Sequence, residues 1–158
     1  MLEEVSKSAS ARSEVLVVCM GNELRGDDGV GVLVARRLKA RGLGDLVVEA
    51  GPAPENYAGY IASRKPRVLV FVDAVEAGLE PGSVVLGDVR EIEKEVSYYT
   101  THKAPLSLIL QFSGATRGLL LGIQVASVEM GSEMCREVEE AGEIVAEVLA
   151  EVLESLGG

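Results

Sequence analysis

Imidazole and thiol side chains are scarce in this chain. Among its 158 residues there is one histidine, His102, and there are two cysteines. A Ser- or Cys-based catalytic set would have to be built around that single imidazole. Cys19 and Cys135 form no CxxC pair, so neither a disulfide framework nor a thiolate zinc site is indicated, and both thiols are expected to be reduced. Cys19 lies in an apolar run and reads as a small core residue, and Cys135 lies early in the last helical segment. No apolar run approaches the roughly 20 residues that cross a bilayer. The first residues, MLEEVSKSASARSE, lack both the basic start and the apolar centre of a secretory signal. A soluble, cytoplasmic protein is therefore expected, with residues 1–13 as a flexible arm and 14–158 as a single domain. Positive charge is also scarce. Fifteen Lys and Arg against 25 Asp and Glu give a net charge of -10, which argues against nucleic acid or an anionic membrane and leaves a protein or a small molecule as partner. Neither HExxH nor GxSxG occurs, and no GxGxxG fingerprint is found.

The apolar pattern shows how the chain is organised. EVLVVCM (14–20), DLVVEAG (45–51), PRVLVFVDA (66–74) and GLLLGIQVA (118–126) read as buried strands. Helical spacing follows the first strand at Val30, Leu33, Val34 and Leu38, and a short helix with Pro54 in its first turn follows the second. Alternating strands and helices predict a parallel sheet covered on both faces. The link AVEAGLEPG after Asp73 is too short for a crossover helix, so the fourth strand, SVVLGD, is expected to run antiparallel. A third helix should open just after His102, and the third strand should end at Asp73. Met134, Val138, Ala141, Val145, Val148 and Val152 predict the buried stripe of a long C-terminal helix.

Residues 21–29, GNELRGDDG, have a glycine spacing suited to phosphate, yet Asp27 and Asp28 stand where Lys and Ser or Thr would follow. The charge of such a seat is inverted, and it suits a cation or a carbonyl. Taken alone, Asp28 reads as a helix cap, Asp73 as a strand-end turn residue and His102 as a loop or cap residue. Together they form an oxygen and nitrogen set suited to nickel or zinc with open positions, because ligands gather at the carboxyl ends of parallel strands.

GNELRGDDGVG, GPAPEN, VDAVEAGLEPG, TTHKAPLSLIL and LGIQ, in that order from about Val15 to Gln124, closely resemble the hydrogenase maturation endopeptidases. The wording of GPAPEN and TTHKAPL is most similar to the branch acting on formate-hydrogenlyase or energy-converting hydrogenases. The resemblance implies a three-layer α/β/α sandwich around a mixed five-stranded sheet. It also implies removal of a C-terminal extension from a nickel-loaded [NiFe]-hydrogenase large-subunit precursor, with Asp28, Asp73 and His102 as metal-contacting and catalytic residues. The nickel would come with the precursor, and zinc or cadmium could stand in for it. Gly21, Asn22, Gly26 and Asp27 would shape the loop, while Glu55 and Asn56 would cap the second helix or border a peptide groove. A monomer is the default expectation. Two rival readings remain open: a nonproteolytic nickel-binding maturation chaperone, and a nucleotide-binding α/β domain.

Overall fold

The computed structural model describes residues 3–92, 94–95, 97–98 and 105–157. The N-terminal segment differs from the loose arm expected of it. It carries a short helix, α1 (Glu3–Ser8), that buries Val5 and is followed by a buried Ala9. Ala11 bridges to Gly157, and the Arg12 guanidinium donates to the carbonyls of Glu154 and Leu156 at 3.2 Å each. Carbonyls at a helix C-terminus have no partner within the helix, and here Arg12 supplies one. One valine and one alanine in a polar stretch leave no periodic signal, which is why composition alone suggested an arm.

The central layer is built from β1 (Val15–Met20), β2 (Val47–Gly51), β3 (Val68–Glu76), β4 (Val84–Asp88), the two-residue β5 (Ser97–Tyr98) and β6 (Arg117–Gln124). Five strands form the sheet in the order β2-β1-β3-β6-β4, and β5 pairs with the end of β3. Strands β1, β2, β3 and β6 are parallel, and β4 runs antiparallel to β6, as the short link before it required. Strand β3 runs three residues beyond Asp73, where it was expected to stop. It does so because β6 and β5 continue to pair with it, through Ala74↔Ile123, Val75↔Gln124 and Val75↔Tyr98.

Side chains alternate between two cores. Val15, Val17, Cys19, Val68, Val70 and Val72 pack under α2 (Val30–Ala40) and α6 (Arg136–Ser155). Leu16, Val18, Met20, Leu69 and Phe71 pack on the other face, under α3 (Ala58–Ser63) and α5 (Leu106–Ser113). A further short helix, α4 (Val89–Ile92), adds Val89 to this second core. The three-layer α/β/α sandwich with a mixed five-stranded sheet is the observed architecture. Pro54 begins a 3-10 turn, Pro54–Tyr57, that leads into α3. Helix α5 opens at Leu106, after Pro105; His102 lies outside the described residues.

Along α6 the expected stripe holds from Val138 through Val145 and then shifts. Leu149 and Leu153 are buried, whereas Val148 is 38% exposed and Val152 is partly buried. The expected stripe repeats every 3.5 residues, and a straight helix turns every 3.6, drifting about 20° per heptad. Two heptads of drift bring the next residue round to the core.

Candidate active site

The carboxyl edge of the parallel strands is shaped by the loop that follows β1. Gly21 has φ 144°, and a side chain there would run into the Asp28 carbonyl oxygen. A side chain at Gly31 would run into the Met20 carbonyl, so the first turn of α2 approaches the end of β1 at a distance only glycine allows. The Asn22 N–H donates to the Asp28 carbonyl at 3.1 Å and to its Oδ2 at 3.2 Å, which closes the loop on itself. Asp28 sits in a 3-10 turn, Gly26–Gly29, and is fully buried. Gly29 holds the N-cap position of α2, and no side chain caps it, so Asp28 is not the cap that its place in the sequence suggested.

Asp27 is equally buried and does something different. Its Oδ2 accepts from the N–H groups of Ala126 at 2.7 Å and Ser127 at 3.1 Å, and its Oδ1 accepts from Cys135 N–H at 2.7 Å. Cys135 is the N-cap residue of α6, so this carboxylate ties the glycine loop to the exit of β6 and the entry of α6. The Cys135 thiol donates to the same carboxylate at 3.4 Å. Burial, with the charge of Asp27 behind it, pushes that thiol above its ordinary range and keeps the proton in place. Cys19, wholly buried in β1, is pushed up more strongly, again chiefly by burial.

Asp73 lies within β3 and not in a turn at its end. It is fully buried, and its Oδ1 accepts from the following Ala74 N–H at 2.8 Å. It follows Leu69 and Phe71 at two-residue spacing, which places it on the face covered by α3 and α5. Cys19 pairs with Val72, so Asp73 stands level with the end of β1, and the turn bearing Asp28 packs on β3. Two buried carboxylates thus share one edge of the sheet. The third expected member, His102, falls outside the described residues, among which no three His, Cys, Asp or Glu side chains group closely enough to hold a metal.

Around this edge, a depression of about 440 Å3 is bordered by Gly21–Leu24, Glu49–Pro52, Val32 and Tyr57. Glu55 borders a second depression, between α3 and α5. Sequence reasoning missed the work of Gln124. Its Oε1 accepts from Ala77 N–H at 2.8 Å and Leu79 N–H at 3.3 Å, while its Nε2 donates to Glu76 at 3.0 Å, fixing the loop that leaves β3. A polar residue closing an apolar strand was the available signal.

A sequence profile of the HycI hydrogenase maturation proteases matches residues 32–152. The chain belongs to this family. Hydrogenase 3 maturation protease of Escherichia coli K12 is 35% identical over 133 residues, covering 82% of this chain and 85% of that protein. Among solved structures, the [NiFe] hydrogenase maturation protease HycI of Thermococcus kodakarensis KOD1 superposes with a TM-score of 0.81 at 34% identity, covering 98% of this chain and 99% of the other. The endopeptidase HycI of Escherichia coli gives 0.76 at 32% identity, covering 91% and 93%. As a hydrogenase maturation protease the chain is a peptide hydrolase, and its two buried carboxylates lie where α/β sheets receive their ligands. Among the described residues no helix is long and apolar enough to cross a membrane.

Proposed function

We propose that this protease removes the C-terminal extension of a nickel-loaded [NiFe]-hydrogenase large-subunit precursor, and that Asp28, Asp73 and His102 face the nickel the precursor carries. The observation that supports this most is the burial of Asp28 and Asp73 at the same sheet edge, since anionic oxygens gathered at a ligand-binding rim suit a divalent cation. The likeness to HycI and to the hydrogenase 3 protease favours a precursor of the formate-hydrogenlyase type. Contact with nickel would report that loading is complete before the chain is cut. In the cut itself, water adds across the peptide bond, its hydroxyl going to the carbonyl carbon and its proton to the departing nitrogen. The nickel supplies Lewis acidity when present, and a carboxylate of this chain can take the proton of the attacking water.

The test is to incubate purified protein with nickel-loaded precursor and weigh the large subunit. Loss of the extension's mass supports cleavage; tight binding with unchanged mass would instead make the protein a nickel-binding chaperone. Zinc or cadmium, as stand-ins for nickel, should bind the Asp28–Asp73–His102 set, with the heat of binding read by calorimetry.

A further inference from the structure

Aromatic residues are unusually placed in this molecule. Outside residues 97–104 the aromatic side chains are Tyr57, Tyr60, Phe71 and Phe112, and of these Phe71 alone is in the core. Tyr57 is 38%, Tyr60 49% and Phe112 64% exposed. All three exposed rings belong to the α3 and α5 side of the sheet, the side that Asp73 faces. Leu108, 54% exposed and four residues before Phe112, shares its face of α5. Of these, Leu108 and Phe112 line, together with Glu55, Ala58, Ile109 and Gln111, a largely apolar depression of about 650 Å3.

The depression has two neighbours. At one end, Glu55 of its lining and Tyr57 of the glycine-loop depression belong to the same Pro54–Tyr57 turn, so the track begins beside the candidate active site. At the other end, Leu108 and Gln111 also line a depression of about 430 Å3 bordered by Arg90 and Lys94. Both cations are exposed and hold no ion pair with any described residue. Glu91 and Glu95 of the same stretch lie outside that lining. On the opposite layer, by contrast, Arg37 and Arg41 of the α2 side are neutralised by Glu143, Glu147 and Glu154 of α6. In a chain with a net charge of -10, two exposed cations without an ion pair among the described residues, at the end of an apolar track, favour a carboxylate.

We propose that this track seats the precursor's C-terminal extension, with a large apolar side chain against Leu108 and Phe112 and a carboxylate at Arg90 and Lys94. The inference rests on the reading of the chain as a large-subunit protease. It assigns α5 and α4 a role in substrate affinity that is separate from the chemistry at Asp28 and Asp73. Exposed aromatic anchors at the centre of a contact, with charges at its rim, are the composition of an affinity surface.

The test measures binding of nickel-loaded precursor and, in parallel, its cleavage. Phe112→Ser and the double variant Arg90→Glu/Lys94→Glu alter exposed side chains and should fold as the parent does. Each should weaken precursor binding and raise KM by roughly tenfold or more, with kcat within about twofold of the parent. Arg136→Glu, on the opposite layer, should bind unchanged. Added salt should weaken the parent more than the charge-reversed variant. Mature large subunit, which lacks the extension, should bind all variants alike. Parental affinity in both variants would overturn the proposal, as would equal sensitivity of mature subunit. A parent protein that binds the precursor without cutting it would refute the protease reading instead, leaving the surface to be judged by the binding data.

Discussion

Asp27 and Asp28 are neighbours in sequence and equally buried, yet they are bound to opposite tasks by where their oxygens go. Asp27 accepts three backbone N–H groups from segments about 100 residues away. Removing it would leave buried donors unmet, at about 1–3 kcal/mol for a single group. Asp27→Ala should therefore lower unfolding free energy by about 3 kcal/mol, measured by urea denaturation; a loss under about 0.5 kcal/mol would contradict the clamp. Asp28, which accepts from the Asn22 N–H within its own loop, should behave differently. Asp28→Asn should leave the melting temperature within a few degrees and abolish processing of the precursor. The two thiols supply a pH test. Folding raises both thiol pKa values above the ordinary 9.0. The stability this represents is complete below pH 9 and is lost as pH rises further, because the unfolded chain ionises first. Melting temperature should thus fall above pH 9, and Cys19, fully buried in the folded protein, should resist thiol reagents at pH 8 while the unfolded chain reacts there.

At the scale of elements, α6 separates two geometries that the sequence could not. Leu149→Ala should cost about 2–5 kcal/mol, as a buried leucine does, and Val148→Ala under about 1 kcal/mol. The reverse order in chemical denaturation would restore the 3.5-residue stripe and contradict the observed face. The strands, by contrast, were legible directly, since apolar runs bounded by glycine have few other homes. Antiparallel β4 was also legible, because the chain between Asp73 and Ser83 cannot span a crossover. The end of β3 was not, since pairing from β5 and β6 extends a strand past an aspartate whose type suggests a turn. Helix α1 was hidden for a related reason: Val5 finds its core only through tertiary contacts.

For the whole molecule, composition argued against nucleic acid, and the loop GNELRGDDG marked the sheet edge at which the chemistry is proposed. What one sequence could not reveal was the division of labour between adjacent aspartates, or the three exposed rings on the α3 and α5 layer, because both depend on which distant segments meet. The central claim is that a nickel-bearing precursor is cut at the edge holding Asp28 and Asp73. Mass spectrometry of the large subunit, after incubation with the parent protein and with Asp28→Asn, tests it most directly. The parent should shorten nickel-loaded precursor but not nickel-free precursor, and the variant should shorten neither. Equal shortening by the variant, or shortening of precursor that carries no nickel, would contradict it.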